Sequence, residues 1–185
     1  MMKLLKIGLI SVMLMGATAQ GQIFQTAEAL NRGDFSVGFS PVFFSHRGAE
    51  DFSLYVHGAL GVDRRLEVDA KLGVGDPATY FGMALKGQLT RTAPHVSISG
   101  GFHVFDDFGL DGTANLTFPV NPYVDLYTGL DMDMVFATET FTPFWLLIGT
   151  EIAYRRQVNL LLEVELGLND EAANIITVGA KFYLP

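Results

Sequence analysis

Alternation of apolar and polar residues runs through residues 62–74, whose sequence is VDRRLEVDAKLGV, with Arg64 at one position of the otherwise apolar face. Successive side chains of a β-strand point to opposite faces, so a strand with one apolar and one polar face produces this pattern. Similar segments, separated by polar turns, recur roughly ten times along the chain. Together with an apparent export signal at the start of the chain, the repetition predicts an all-β fold: a closed antiparallel up-and-down transmembrane β-barrel of about ten strands, with eight as the fallback.

The predicted strands are separated by turn-forming pairs such as Asn121-Pro122 and Asn169-Asp170. The first strand is the weakest, because Pro41 cannot donate a hydrogen bond to a sheet ladder. We therefore place Pro41 at a bulge near the rim, and a position in the middle of the strand would favour the count of eight. The predicted ranges are 34–44, 51–60, 62–74, 79–90, 95–105, 110–120, 123–136, 144–155, 158–168 and 175–184.

The first residues have the three zones of a secretory signal peptide. Lys3 and Lys6 supply positive charge, Ile7–Met15 form an apolar core, and Ala17–Ala19 offers small residues for cleavage. The apolar run is too short to cross roughly 30 Å of hydrocarbon. Removal of the two lysines takes the formal net charge from −8 to −10. The predicted organisation is a signal peptide (1–19), a short periplasmic leader outside the barrel (20–33) and the barrel itself (34–185).

Composition narrows the classes of function. The chain has no cysteine, although an exported protein could form disulfides. Charged residues make up 17% of it, against about 25% in ordinary soluble domains. Its acidity argues against nucleic acid as a partner, because nucleic-acid binding requires basic surfaces.

Alternation alone does not say which face of the barrel points inward. A secreted lipocalin-like carrier of apolar ligands would line its cavity with the apolar face, whereas a membrane barrel turns that face toward lipid. The apolar face of Val158–Leu168 is bulky and free of charge, which favours the membrane. Aromatic residues also gather near strand ends, as in interfacial girdles. One end holds Phe43, Phe44, Phe52, Tyr80, Phe81, Phe105, Phe108, Phe141, Phe144 and Trp145, and the other holds Phe35, Phe118, Tyr123, Tyr154, Phe182 and Tyr183.

After the signal, the chain resembles the small outer-membrane β-barrel proteins of two-membrane bacteria, a group that includes OmpA-like transmembrane domains and their eight- and ten-stranded relatives. Its last strand, residues 176–184 (ITVGAKFYL), is similar to the C-terminal signal that the barrel-insertion machinery reads. It differs in ending on Leu184-Pro185 instead of an aromatic residue. The resemblance implies an outer-membrane location, contact with outer-membrane lipid, and the insertion machinery as a partner during biogenesis.

Charges on the polar face would lie in the lumen, where they must be paired or hydrated. Because both termini of an even-stranded barrel lie on the periplasmic side, we expect a basic network near that end. Its predicted basic members are Arg65, Lys86, Arg155 and Lys181, and its predicted acidic partners are Glu67, Asp125 and Glu151.

Acidic residues dominate the opposite, extracellular end of the predicted barrel. There they would form an acidic mouth that concentrates cations or small cationic solutes. The residues assigned to this mouth are Asp131, Asp133, Glu163 and Glu165.

Catalytic signals are weak. His95-Val96-Ser97 has the H-x-S spacing of outer-membrane lipid A deacylases, but the flanking residues of that family's motif are missing. The pair His57 and His103 comes from strands that are not neighbours. We therefore expect no enzyme, no metal site and no cofactor. The first interpretation is a structural, membrane-integrity protein, and the alternatives are a narrow cation-preferring pore and a lipocalin-like carrier.

Overall fold

A computed structural model describes residues 26–75 and 79–184, and the predicted signal peptide lies outside these residues. The regular structure in this part of the chain is β-strand. No helix among the described residues is long and apolar enough to cross a membrane. The strands are β1 (Phe35–His46), β2 (Ala49–Asp63), β3 (Leu66–Gly75), β4 (Tyr80–Gln88), β5 (His95–Phe105), β6 (Asp107–Asn121), β7 (Val124–Phe136), β8 (Thr140–Phe141), β9 (Phe144–Arg155), β10 (Val158–Gly167) and β11 (Asn174–Leu184).

Ten of these strands form one closed antiparallel barrel, as predicted. Strands that follow one another in sequence are paired around the wall, with β7 joined to both β6 and β9. The ladder between β1 and β11, which includes Phe35↔Leu184, brings the two ends of the chain together. The two-residue strand β8 pairs only with the far end of β7. We call the end of the barrel that holds the chain termini the terminal end, and the opposite end the distal end.

Most strand positions are confirmed to within a few residues, and His95–Phe105 and Phe144–Arg155 coincide with their predictions. The segment 62–74 is divided differently. Val62 and Asp63 end β2, Arg64 and Arg65 form a turn, and β3 begins at Leu66. A two-residue turn preserves the period-two spacing of the flanking strands, so the break is marked in the sequence only by Arg64, a charged residue on the otherwise apolar face.

The prediction of a bulge at Pro41 is wrong. Pro41 lies in the middle of β1, and the register with β11 is the same on both sides of it, from Phe39↔Ala180 to Val42↔Thr177. The carbonyl of Pro41 accepts a hydrogen bond of 2.8 Å from Thr177 Oγ1. The missing N–H therefore removes one donor without shifting the ladder, and the barrel keeps ten strands.

The apolar face of the barrel points outward. On β10, Leu162 is 45% exposed, whereas its neighbours Leu161 and Glu163 point inward and are buried. A transmembrane β-strand needs about 9–11 tilted residues, and the barrel strands have 9 to 15. A wall that is apolar outside and charged inside excludes the lipocalin-like alternative, which requires the reverse.

Exposed aromatic rings form the predicted girdle at the distal end. Phe43 and Phe52 lie 5.1 Å apart between ring centroids, and Phe108 lies 6.3 Å from Phe102 and 6.0 Å from Phe136. The prediction is wrong for four residues of this end, which point into the lumen and are buried: Phe44, Tyr80, Phe105 and Trp145. Exposed rings at the terminal end are those of Phe35, Phe118, Tyr123, Tyr154 and Phe182.

Inward-facing glycines leave room for large side chains in the narrow lumen. Gly149 on β9 is paired directly with Tyr127 on β7. A Cβ added at Gly149 would lie 2.2 Å from Cζ of the Tyr127 ring. The buried tyrosine can lie against the wall because its partner has no side chain.

We expect Gly149→Ala to lower the free energy of unfolding by about 1–3 kcal/mol, the usual cost of overpacking a filled interior. Urea unfolding in detergent micelles, followed by the fluorescence of the single tryptophan, Trp145, measures the change. Gly112→Ala is the matched control, because the nearest atom to a Cβ there is Met132 O at 4.0 Å. Equal stability of the two variants would contradict the close contact at Tyr127.

We expect Leu162→Arg to destabilise the barrel in lipid vesicles by about 2–4 kcal/mol, because it places a charge on the lipid face near mid-depth. Tyr154→Arg is the matched control at an exposed position near the end of β9, where the cost falls to about 0–1 kcal/mol. Urea unfolding of both variants tests the outward assignment, which fails if Leu162→Arg is as stable as the unchanged protein.

Candidate functional site

The candidate site is the lumen, because the buried ionisable side chains gather there. Among the described residues, eight carboxylates and three lysines are buried, an excess of five acidic groups. Buried charges are costly unless they are paired, hydrated or bound to a cation. The buried acids are Glu67, Asp69, Asp111, Asp131, Asp133, Glu151, Glu163 and Glu165, and the buried bases are Lys71, Lys86 and Lys181.

A buried ion pair lies in the terminal half of the lumen. Lys86 Nζ is 2.6 Å from Glu67 Oε1, and both side chains are almost completely buried. The second oxygen of Glu67 accepts a hydrogen bond of 2.7 Å from Leu30 N, and Lys86 Nζ also donates to Thr26 O at 3.2 Å. The predicted pairing of Lys86 with Glu67 is confirmed.

The leader does not lie outside the barrel, contrary to the sequence-based expectation. Residues 26–31 enter its terminal end, where Ala27 is fully buried. Ala27 N donates to Thr117 Oγ1 at 2.8 Å, and Ala29 N donates to Gln88 Oε1 at 3.1 Å. Backbone N–H groups of the leader thus supply donors to side-chain acceptors on the inner wall, and this stabilises its position inside.

A second polar group adjoins the leader. Glu151 Oε1 accepts hydrogen bonds from Tyr183 Oη at 2.6 Å and from Asn159 Nδ2 at 2.5 Å. The ammonium of Lys181 lies 5.4 Å from the centroid of the Tyr183 ring. With Asp125 and the leader, these residues line a cavity of about 210 Å³. Lys181, Glu151 and Asp125 therefore lie together near the terminal end, as predicted.

The predicted basic network does not include all four basic residues. Arg155, the last residue of β9, is exposed, and its guanidinium lies 5.4 Å from the Tyr154 ring centroid. Its assignment to the buried network is wrong, because the strand ends where the lumen opens. Arg65 is half-buried in the turn between β2 and β3, at the rim.

The four residues assigned to an acidic mouth lie deeper than predicted. Asp131 and Asp133 on β7 and Glu163 and Glu165 on β10 are all fully buried inside the lumen. Thr113 Oγ1 on β6 donates a hydrogen bond to Asp131 Oδ1. These carboxylates form a buried acidic group within the lumen, and the attraction of cations that the sequence suggested for them stays a prediction.

Aromatic and apolar side chains close the distal half of the lumen. Trp145 is fully buried, donates from Nε1 to Ala173 O at 2.7 Å, and packs with Val135 and Ala172. The cluster of Trp145, Val135 and Ala172 and a second buried cluster together form what we call the distal cap. The members of that second cluster are Val42, Phe44, Tyr55, Tyr80, Phe105, Leu161 and Ile175.

The H-x-S motif has no catalytic geometry. His95 Nε2 lies 2.8 Å from Glu28 Oε1 of the leader, and His95 Nδ1 lies 3.4 Å from Gln88 Nε2. The hydroxyl of Ser97 is buried without a hydrogen-bond partner among the described residues. The histidine is therefore not positioned as a base for this serine.

Sequence reasoning missed a buried group formed by His103, Asp111 and Asp133. His103 Nδ1 contacts Asp111 Oδ1, and the Tyr80 ring stacks on the imidazole at 5.6 Å. Asp111 and Asp133 are direct partners on β6 and β7. Alternation places all three side chains inside, but only the strand register brings them together.

Comparisons with known proteins support the fold of the chain but assign it to no family. No protein-family model matches the chain, and no curated protein matches it in sequence. The COG4313 outer-membrane channel from Pseudomonas putida F1 is similar in structure, with a TM-score of 0.58, 8% identity, and coverage of 88% of this chain and 100% of that one. The translocator domain of the autotransporter NalP from Neisseria meningitidis has a TM-score of 0.50, 10% identity, and coverage of 83% and 89%. The chain has the fold of outer-membrane β-barrel proteins.

We expect Lys86→Met to lower the free energy of unfolding by about 3–5 kcal/mol, because it leaves the Glu67 carboxylate buried without its cation. The double variant Glu67→Gln/Lys86→Met should recover most of this loss, since neither charge then remains. Urea unfolding monitored by Trp145 fluorescence gives both values. If the double variant is no more stable than Lys86→Met alone, the ion pair does not account for the effect.

Proposed function

We propose that the protein is an integral outer-membrane barrel with a sealed lumen and a structural role in the envelope. One observation carries this proposal: the side chains that fill the lumen are shielded from water along much of its length. A side chain that lines a water-filled channel stays in contact with water, but Trp145, Asp131 and Glu165 are completely inaccessible. The outer-membrane location is supported by the predicted signal peptide, the exposed apolar belt and the fold.

Two separate seals support the structural role. The leader occupies the terminal end, bound through backbone hydrogen bonds to Thr117, Gln88 and Glu67. The distal cap fills the other half, where Trp145 of β9 donates a hydrogen bond to Ala173 O in the connection between β10 and β11. Because the seals lie at opposite ends and use different residues, removal of the leader alone leaves the distal cap in place.

A narrow cation-preferring pore is the second candidate, and the excess of five buried carboxylates over lysines favours it. Acidic groups in a narrow passage attract cations and exclude anions. Conduction would require both the leader and the distal cap to move. The pore therefore needs an open state different from the arrangement described here, whereas the structural role needs none.

Single-channel recording in planar bilayers separates the two candidates. We expect no conductance steps from the refolded chain without its predicted signal peptide, once insertion has been confirmed by the heat-dependent shift in gel mobility. A variant that also lacks residues 20–31 should remain silent, because the distal cap still closes the lumen. An open porin refolded in the same way is the positive control for the recording.

Each conductance result that differs from this expectation would contradict a different part of the proposal. Cation-selective steps from the intact chain would contradict the structural proposal and support the pore. Steps that appear only after removal of residues 20–31 would identify the leader as the main seal and contradict the sealing role of the distal cap.

A further inference from the structure

We propose that His103, Asp111 and Asp133 form a buried binding site for one divalent transition-metal ion inside the barrel. The three residues come from the adjacent strands β5, β6 and β7. Each offers one ligand atom, and these atoms all lie within 4.8 Å of one another. Ligand atoms around a tetrahedral zinc ion lie about 3.3 Å apart, given bonds of about 2.0–2.1 Å. Small side-chain movements would therefore complete the site.

The position of the imidazole is fixed by its surroundings. His103 is paired with Gly109, and a Cβ added there would lie 2.4 Å from His103 Nε2. The ring of Tyr80 stacks on the other side, with an angle of 24° between the planes. A glycine and a tyrosine thus hold the ring next to Asp111, and the chain needs no large movement to present a ring nitrogen.

Asp133 supplies an independent sign that a cation belongs here. Its carboxylate is fully buried, and neither of its oxygens receives a hydrogen bond from a hydroxyl, amide or ammonium group of the described residues. It is also placed directly opposite Asp111, so two acidic groups face each other in a water-poor interior. Leaving a buried carboxylate without a donor is costly. A bound dication would satisfy both carboxylates at once.

The buried charges of the lumen leave a net negative charge for such an ion to offset. One of the three ligands, Asp111, borders a small space of about 10 Å³ that Asp69, Lys71 and Tyr80 also line. A space of that size is close to the minimum for one water molecule. Lys71 offsets only one of the buried acidic charges, so the excess of five remains after all three lysines are counted.

The donor set selects the class of metal. One imidazole nitrogen and two carboxylate oxygens suit Zn²⁺ and related first-row ions. Calcium and magnesium prefer shells made only of oxygen. The three ligand residues lie on the wall and belong neither to the leader nor to the distal cap, although Tyr80, which stacks on His103, is a member of the cap.

Zinc chloride is the probe for this site. The chain without its predicted signal peptide is refolded in detergent with Zn²⁺, passed over a desalting column to remove free metal, and analysed for bound zinc by mass spectrometry. We expect one zinc ion per chain. Asp133→Asn should weaken zinc binding tenfold or more. The matched control Asp131→Asn, an identical change at another buried position of β7, should retain it.

A spectroscopic measurement on the unchanged protein guards against variants that fail to fold. The X-ray absorption spectrum of the zinc-loaded chain should show one imidazole nitrogen, with oxygen atoms completing the shell. An all-oxygen shell would overturn the proposal, as would equal zinc binding by Asp133→Asn and the unchanged protein. Absence of bound zinc in the folded chain would also overturn it.

Discussion

Closure of the sheet is the constraint on which the rest of this structure depends. In hydrocarbon, an open edge would leave a row of backbone N–H and C=O groups without partners, at several kcal/mol each. The ladders β1–β11 and β6–β7 remove both edges. Pro41 illustrates this constraint, because the pairing of β1 with β11 is interrupted at Ser40 and Pro41 but resumes at Val42 in the same register. The side-chain hydroxyl of Thr177 donates a hydrogen bond to the carbonyl oxygen of Pro41.

Closure with ten strands also determines what the interior can be. A barrel of this size is close to the limit at which side chains fill the lumen, and here large inward rings lie against glycines on the neighbouring strand, as Tyr127 does against Gly149. The leader fills space that the wall side chains leave at the terminal end. The interior therefore resembles the core of a soluble protein in its packing, but its composition is polar and charged. That combination explains why ion pairs such as Lys86–Glu67 are buried so deeply.

Alternation in the sequence was enough to predict the strands, the closed barrel and the inward side of most residues. Alternation failed to predict features that do not repeat every two residues. The turn at Arg64-Arg65 preserves the period-two spacing on either side, and its one signal, a charged Arg64 on the apolar face, was too weak to divide the segment. The leader binds through backbone N–H groups, which have no sequence signature. Trp145 was misassigned for a different reason. Its neighbour Phe144 points outward, so alternation places Trp145 inside the barrel. The prediction put Trp145 in the outer girdle because aromatic residues cluster near that strand end.

The candidate metal site shows a further limit of prediction. The inward faces of Asp111 and Asp133 follow from alternation, but their pairing depends on the register between β6 and β7. That register shifts by one residue between Pro119 and Asn121, near the connecting turn. A shift of this kind changes every pair along the two strands, and nothing in the sequence of the turn specifies it. Side chains can thus be assigned to the lumen from sequence, while their partners across the strands cannot.

The distribution of charge inside the barrel connects the functional candidates. Lys86 lies against Glu67, and Lys181 lies near Glu151, so the terminal half contains most of the positive charge. The buried acidic group on β6, β7 and β10 has mainly Lys71 to oppose it. The five acids of this group, Asp111, Asp131, Asp133, Glu163 and Glu165, exceed that one lysine by four. Protons or cations must offset the four charges, because uncompensated charges cannot persist in a water-poor interior. In a sealed barrel those counter-charges are bound permanently and act as part of the core. In a conducting barrel the same carboxylates would have to exchange them with solvent, and the packing of Trp145 against the wall opposes that exchange.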